Sequence, residues 1–545
     1  MIVSCQLTDG LAPLSLGEPA AEFVDMLQPP FDPTSDIVFD TARDWIETCH
    51  RSHKQCQVTG RTGLSLLPTR VLDVGTSDAP KLLLHIFSSG EMAERGEYAC
   101  LSYCWGGDQF KTFLDTVEEL KTHIPIDQLS LTVADAVEVT RRLGLRYLWV
   151  DALCIVQDSD EDKAREIARM GAIYKNSTVT IAAATARAAS EGFLRRPPST
   201  PRSAAVRVRL PNGQVGIVRL TLSHFYYAGQ ARLERDHPLD SRGWCLQEYL
   251  LSPRLLIFSM FNVERACQID KEVAGDGPLG RGQTFGATFR LPPAIFGGET
   301  IRDQLTRLGR RDIRFSFPRE RIRLWEQIVS DFSCRELTDL RDRLPALAGI
   351  AGELQKAWGD EYMFGMWKRL LPWTLAWEAL VPEGRPRERS SLAPTWSWAS
   401  LNTGVVFRDM PETPTISPTD ITWETGVEND MATSSPPFPC LAVNGTLVRS
   451  TEARREPLDI WSDLGEPFDK EWSYLVVRRR TAHWPDAGSG LKRTDTTYLV
   501  LRSVGKGVYT RVGLAQHRHE QQELLEGDSP WVKLSKKPKV KVYLV

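Results

Sequence analysis

The sequence lacks a long hydrophobic run and a secretory signal. No apolar stretch in its 545 residues approaches the roughly 20 residues that a membrane-spanning helix needs. The opening residues, MIVSCQLTDG, contain no basic segment followed by a long apolar core, which a signal peptide requires. We therefore expect a cytoplasmic protein without a membrane span. Its ten cysteines are then expected to be reduced thiols and not a disulfide framework.

The sequence also has little net charge and no repeat of fixed period. The formal net charge is −3, whereas proteins that bind nucleic acids or anionic membranes carry a clear basic excess. We expect no nucleic-acid partner. No G-x-G-x-x-G motif follows a predicted strand, so a dehydrogenase-type dinucleotide site is not supported. The length predicts two or three domains with ordinary soluble composition.

The segment 145–185 predicts a strand, a helix and a second strand. Its first apolar run, 147–156, is interrupted by Asp151 and is typical of a buried strand. An acidic cluster then suits a helix N-terminus, and apolar residues at helical spacing follow up to Tyr174. Because a helix makes the crossover, the two strands should be parallel. An acid inside a core strand is costly without partners, so Asp151 needs a structural or functional reason.

Residues 97–107 predict another strand, which ends in a glycine turn. A helix capped by Thr132 and stopped by Gly144 connects this strand to the segment 145–185. The order strand, helix, strand, helix, strand predicts a parallel sheet covered on both faces. Ligands of such sheets bind at the carboxyl ends of the strands. Residues 102–107 and 183–185 are therefore expected to surround one crevice together with Asp151.

Two further segments predict regular structure. Residues 206–222 alternate around a Pro-Asn-Gly turn, which indicates a hairpin. Residues 239–259 predict a short helix that ends at Pro253 and is followed by a strand. Trp244 and Glu248 are four residues apart in that helix and should share one face.

The N-terminal part predicts a helix from Asp40 to about Gln55, followed by strands at 68–74 and 81–87. Cys49, His53 and Cys56 form a C-x3-H-x2-C pattern and would fall on one face of this helix. The spacing invites a zinc interpretation, but no partner pair supplies a clear fourth ligand. A packing stripe with a partly buried histidine is favoured, so the sequence assigns no metal site.

The composition predicts three parts: a lead-in at 1–94, a core domain at 95–260, and a C-terminal extension at 261–545. Helices are predicted in the extension at 325–332, 345–358 and 362–380. From residue 441 onward, short alternating runs such as 474–477 and 498–501 predict a mostly β region.

Three blocks of the core resemble the fungal heterokaryon-incompatibility (HET) domain family. The blocks are YACLSYCWG at 98–106, LWVDALCIVQD at 148–158 and RGWCLQE at 242–248. The resemblance implies a role in fungal non-self recognition, in which such domains trigger growth arrest or regulated cell death after incompatible fusion. It implies a partner protein that the sequence does not identify.

HET domains are in turn remotely similar to TIR domains, several of which hydrolyse NAD. This similarity implies an α/β fold: a parallel-sheet, TIR-like or flavodoxin-like core, followed here by a mixed α+β extension. It also implies self-association, since TIR-like sites are often completed by a neighbouring subunit. The segment 244–248 is similar to the TIR stretch that ends in the catalytic glutamate, so Glu248 is the candidate catalytic carboxylate. NAD would be a substrate, and no resident cofactor is expected. The residues expected around the dinucleotide are Ser102, Tyr103, Trp105, Gly106, Asp151, Arg242 and Trp244.

The chemistry gives each group a role. Cleavage of the nicotinamide–ribose bond passes through an oxocarbenium-like state that a carboxylate stabilises. Trp105 or Trp244 would stack on a base, and the turn after Trp105 would offer backbone N–H groups to the pyrophosphate. Asp151 would bind a ribose hydroxyl or orient Arg242.

Structural interpretations of the same residues stay open. The tryptophans could simply pack in the core, and Asp151 and Arg242 could form a buried ion pair that stabilises the fold. Glu248 could lie on a helix surface, and Glu166 could accept a structural hydrogen bond. A non-catalytic signalling or scaffold module would have Glu248 in a sealed site. An accessory role in a fungal metabolic pathway is a third hypothesis.

Overall fold

The computed structural model describes most of the chain. The described residues are 11–13, 32–53, 56, 64–76, 78–87, 94–194, 203–221, 237–259, 263–269, 271–273, 289–296, 317–380, 388–407, 413–414, 416–424, 439–450, 458–466, 469, 471–483, 492–505, 507–520 and 537–545. Gln55, the predicted end of the first helix, lies outside them, as do parts of the predicted lead-in and extension. The chain divides into two compact units, Met1–Gln304 with Ala348–Ile350, and Leu305–Leu347 with Ala351–Val545.

The first unit contains the segment with the predicted site. Its described helices are α1 (Asp36–Ser52), α2 (Val117–Leu120), α3 (Leu131–Arg142), α4 (Asp151–Cys154), α5 (Asp160–Asn176) and α6 (Gly243–Leu251). Its described strands are β1 (Leu11–Pro13), β2 (Ser65–Leu66), β3 (Arg70–Gly75), β4 (Pro80–Ile86), β5 (Arg95–Gly96), β6 (Tyr98–Ser102), β7 (Tyr147–Trp149), β8 (Val179–Ala182), β9 (Ser203–Arg209), β10 (Val215–Thr221), β11 (Arg254–Phe258), β12 (Val263–Cys267) and β13 (Lys271–Val273).

One mixed sheet of eight strands forms the centre of this unit, in the order β13-β12-β11-β8-β6-β7-β3-β4. The four central strands are parallel. β12 and β3 flank them and pair antiparallel with β11 and β7, and the outermost strands β13 and β4 pair antiparallel with β12 and β3. Taken in chain order, the parallel strands β6, β7, β8 and β11 lie in the spatial order 2-1-3-4. This order is that of flavodoxin-like doubly wound folds. The α/β class and the parallel pairing of the core strands are confirmed.

The local sequence explains these central strands. Every residue of β6, β8 and β11 is buried, as expected for parallel strands that are covered on both faces. In α5, the Ser159 side chain accepts a hydrogen bond from the Asp162 N–H at 3.2 Å, and acids fill the first turn. Such residues favour a helix N-terminus. The hairpin predicted at 206–222 is confirmed as β9 and β10.

Three details of the core differ from the sequence predictions. β7 ends at Trp149, and Asp151 begins the single helical turn α4, so this acid follows the strand and does not interrupt it. The predicted strand residues after it are helical because the chain turns at the sheet edge. α3 begins at Leu131 after Ser130, so Thr132 does not cap this helix. The Thr132 hydroxyl instead donates to the Ala188 carbonyl at 3.4 Å.

The second unit is helical first and then mostly β. Its described helices are α7 (Phe317–Ser333), α8 (Pro345–Trp358) and α9 (Leu371–Thr374). Its described strands are β14 (Tyr362–Met363), β15 (Met366–Trp367), β16 (Trp377–Ala379), β17 (Val405–Phe407), β18 (Thr413–Pro414), β19 (Ile421–Glu424), β20 (Cys440–Gly445), β21 (Leu447–Arg449), β22 (Asp459–Ser462), β23 (Ser473–His483), β24 (Lys492–Gly505), β25 (Val508–Glu520) and β26 (Val540–Leu544). Nine of these strands form one sheet, in which β23, β24 and β25 make long antiparallel ladders.

The single continuous helix predicted at 362–380 is wrong, because only residues 368–374 of this range are helical, in two short turns. Phe364 and Gly365 have positive φ angles of 48° and 82° and form the turn of a two-stranded hairpin, β14 and β15. The apolar side chains that suggested a helical face pack in the core instead; Trp367 and Trp377 are fully buried. Among the described residues of the chain, none of the helices is both long enough and apolar enough to traverse a bilayer.

Candidate active site

The topology defines one edge of the sheet as the place for a ligand. Between β6 and β8 the chain order reverses, and ligands of doubly wound sheets bind at the carboxyl ends of the strands beside such a point. Ser102 and Ala182 are paired at these two ends. The segments that follow them are held together, since the Ala183 N–H donates to the Ser102 carbonyl at 3.0 Å.

Glu248 reaches this edge from α6. Its carboxylate accepts a hydrogen bond from the Ser102 hydroxyl. Glu248 is 6 % exposed and Ser102 is 4 % exposed, so the pair is almost fully covered. This burial differs from the open crevice that the sequence predicts around a catalytic Glu248. Trp244, one turn earlier in α6, is only partly buried and packs against the core of the unit.

The protein environment raises the pKa of Glu248 above its usual value. Burial raises its pKa to about 7 because the charged form loses solvation. The Ser102 hydrogen bond and the charge of Arg242 lower the pKa, whereas the charge of Asp151 raises it. At neutral pH the group therefore exists in both protonation states, which suits a residue that holds or releases a proton.

Asp151 joins the site from the end of β7. Its Oδ2 accepts a hydrogen bond from Trp105 Nε1–H at 2.9 Å, and its Oδ1 accepts one from the Ala152 N–H at 2.7 Å. Burial raises the pKa of Asp151, although these two bonds and the charge of Arg242 act in the opposite direction. The hydrogen bond to Trp105 holds the indole at this edge of the sheet, a contact that the sequence does not reveal.

Arg242 is the cation of the site. It lies directly before α6 and is partly buried. Its charge lowers the pKa of Glu248, Asp151 and Cys104, which places the guanidinium within electrostatic reach of all three groups.

The turn after Trp105 has two glycines in the left-handed region. Gly106 has φ 64°, and a Cβ there would lie 2.3 Å from the Ala188 Cβ, so close packing against the chain's own backbone requires this glycine. Gly107 has φ 151° and no atom within 4 Å of its Cβ position, and it is exposed. Only the second glycine therefore leaves room beside the backbone for a ligand.

The side chains of Tyr103 and Cys104 are buried inside the protein. Tyr103 is 4 % exposed, and its hydroxyl donates to Gln109 Oε1 at 3.1 Å. Burial raises the pKa of Cys104 to about 11, so this thiol is not an activated nucleophile. Glu166 is fully buried on α5 and accepts a hydrogen bond from the Thr69 hydroxyl at 2.9 Å, which is a structural role.

These features define a class: an α/β protein of flavodoxin-like strand order with two carboxyl groups, an arginine and the Trp105 indole at the carboxyl edge of its sheet. Residues 98–248 match the family model described as heterokaryon incompatibility protein (HET). This match confirms the resemblance of the three sequence blocks to HET domains. Neither the curated proteins nor the solved structures contain a match to the chain.

Proposed function

We propose that this protein acts in the cytoplasm in fungal heterokaryon incompatibility, and that its HET domain hydrolyses NAD to trigger regulated cell death. The supporting observation is Glu248: a carboxyl group of pKa about 7 that is hydrogen-bonded to a hydroxyl at the topological switch point of the sheet. Perturbed acids in such positions are typical of functional sites.

The proposed reaction breaks the bond between the ribose C1′ and the nicotinamide nitrogen. The bonding electrons leave with nicotinamide, which departs as a neutral molecule, and positive charge develops on the ribose ring. The Glu248 carboxylate stabilises this charge. Water then attacks C1′ and gives its proton to Glu248 or to solvent, so the products are nicotinamide, ADP-ribose and one proton.

The surrounding residues would hold the dinucleotide. Trp105 and Trp244 are partly exposed and suited to stacking on its two ring systems. The backbone at Gly107 is open to a pyrophosphate, and Arg242 supplies positive charge for it. Asp151 holds Trp105 in place through its indole N–H.

The Ser102 hydroxyl occupies the position that a ribose hydroxyl would take. It donates to Glu248 in the same way that a sugar hydroxyl would, so the substrate would exchange one hydrogen bond for another. Because Glu248 is covered, this exchange requires that the side chains which cover Glu248 move apart and open the site. We assign that opening to self-association of the HET domain, which makes activity dependent on assembly.

The test is nicotinamide release from NAD by the full chain, assayed both alone and fused to a self-assembling oligomer. We expect release only from the assembled form, and loss of that release in Glu248→Gln. The matched control is Glu161→Gln, which removes an exposed acid from α5. Equal release by the assembled wild type and Glu248→Gln would remove Glu248 from the mechanism.

A second candidate is a non-catalytic signalling module. It is favoured by the 6 % exposure of Glu248 and by its bond to Ser102, which together resemble a structural hydrogen bond. This candidate predicts no turnover of any dinucleotide in either form. It also predicts that Glu248→Gln, which preserves the acceptor for Ser102, retains the cell-death response when expressed in a fungal host.

A further inference from the structure

Four potential metal ligands meet in the first unit, away from the site described above. They are the side chains of Cys49, His53, Cys56 and Cys267, and their ligand atoms all lie within 4.8 Å of one another. We propose that these four residues bind one structural Zn²⁺ ion.

Two distant parts of the chain build this cluster. Cys49 lies in the last turn of α1, and His53 follows the helix, which ends at Ser52. The sequence predicts Cys56 on a face of this helix, but Cys56 lies beyond the helix end, and its N–H donates to the His53 carbonyl at 2.9 Å. Cys267, the last residue of β12, supplies the fourth ligand.

The donor set is one that zinc prefers. Three cysteines and one histidine form a closed tetrahedral Cys3His site, which leaves no position for water and is typical of structural zinc. With Zn–S bonds of about 2.3 Å, neighbouring sulfurs in a tetrahedron lie about 3.8 Å apart. Cys267 Sγ is already 3.5 Å from His53 Nδ1. Because all four ligand atoms lie within 4.8 Å of one another, small shifts of the side chains would bring them to the spacing of a tetrahedral site.

An arginine completes the surroundings. Arg254 is paired with Cys267 across β11 and β12, and its Nε–H donates to Cys49 Sγ at 3.2 Å. It also donates to the Cys56 carbonyl at 3.2 Å. Three thiolates and one Zn²⁺ carry a net charge of −1, which the Arg254 cation balances. Such outer hydrogen bonds orient the ligands of metal sites.

Plain packing explains this arrangement less well. Cys49, Cys56 and Cys267 are 0 %, 1 % and 3 % exposed and are not joined by disulfides. Three thiols packed against one imidazole offer only weak hydrogen bonds, whereas a metal satisfies all four groups at once. A cavity of about 230 Å³, lined in part by Cys56, Arg254 and His50, lies beside the cluster.

The test is metal analysis of the full chain purified under reducing conditions. We expect about one zinc per chain in the wild type and loss of this zinc in Cys267→Ser and His53→Gln. The matched control is Cys440→Ser, which removes a buried cysteine that is not in the cluster and should leave the zinc content unchanged. Zinc at the wild-type level in both ligand variants would overturn the proposal.

If a ligand variant does not fold, measurements on the wild-type protein still test the proposal. X-ray absorption should show three sulfur ligands at about 2.3 Å and one nitrogen at about 2.0 Å. Cobalt added in place of zinc should give the thiolate charge-transfer and intense d–d bands of a tetrahedral site. A reduced wild type that binds neither zinc nor cobalt, or binds them through other ligands, would contradict the proposal, as would copper as the native metal.

Discussion

Glu248 is an acid enclosed by protein, and its enclosure determines both its reactivity and its effect on stability. The folded protein raises its pKa from the usual 4.5 to about 7, first through burial and then through the charge of Asp151. The folded state therefore binds a proton more tightly than the unfolded chain between these two pH values.

The first prediction concerns stability against pH. Because the folded pKa of an acid is raised, the free energy of unfolding falls as pH rises from about 4.5 to about 7, by up to about 3 kcal/mol. Glu248→Gln cannot ionise and keeps an acceptor for Ser102, so it should lose this part of the pH dependence. The free energy of unfolding is measured with urea at pH 5 and at pH 8 for the wild type, for Glu248→Gln and for the control Glu161→Gln. An unchanged pH dependence in Glu248→Gln would show that the carboxyl does not titrate in this window.

The second prediction concerns Asp151. Its negative charge raises the pKa of Glu248, so the neutral Asp151→Asn should lower that pKa. Nicotinamide release requires ionised Glu248 and should rise with pH to a half-maximal rate near pH 7 in the wild type. In Asp151→Asn the half-maximal pH should be lower, while Asp160→Asn, an exposed acid of α5, should leave it unchanged. A half-maximal pH that does not fall in Asp151→Asn would contradict this coupling.

At the scale of elements, a buried ion pair joins β3, the antiparallel strand beside the parallel core, to the crossover helix α5. Arg70 on β3 and Asp162 on α5 form this pair, and both side chains are less than 9 % exposed. Arg70 Nε–H also donates to the Cys154 carbonyl at 2.6 Å, and Asp162 Oδ2 accepts from the Val156 N–H at 2.9 Å. One arginine therefore links β3, α4 and α5.

The third prediction tests this link. Asp162→Ala leaves Arg70 buried without its carboxylate and should lower the free energy of unfolding by about 3–5 kcal/mol. The control Asp160→Ala removes an exposed acid from the same helix turn and should change it by less than about 1 kcal/mol. Equal effects of the two substitutions in urea unfolding would show that the ion pair does not stabilise the unit.

Some of these elements can be predicted from the sequence, and others cannot. The parallel core was predictable because apolar runs alternate with an amphipathic helix, and this order sets both the pairing and the edge where ligands bind. The approach of Ser102 to Glu248 was not predictable, since it depends on where α6 packs. At 362–380, helical spacing of apolar residues was misleading because two residues of positive φ, Phe364 and Gly365, reverse the chain.

At the scale of the first unit, the two ends of the parallel strands have different chemistry. Glu248 and Asp151 lie at the carboxyl end, whereas the cavity beside Cys56 is lined by Leu145, Thr178 and other residues that precede the strands. The sequence revealed three members of the metal cluster, but Cys267 is 214 residues from His53 and only the fold brings it there.

The fourth prediction is that zinc stabilises this unit. A strong zinc chelator should lower the Tm of the wild type, because a structural ion that binds only the folded state adds its binding free energy to folding. Added zinc should restore the Tm. Cys440→Ser should respond like the wild type, and Cys267→Ser should not respond to the chelator. An unchanged wild-type Tm after demonstrated removal of zinc would contradict a stabilising role.

The most direct test of the proposed activity is the ratio of nicotinamide release rates between assembled wild type and assembled Glu248→Gln at pH 8. Loss of one positioned acid–base group typically costs about 10²–10⁴-fold in rate, and we predict a ratio in this range with ADP-ribose as the second product. A ratio of one, or no release from the assembled wild type, would contradict the assignment of NAD hydrolysis to this site.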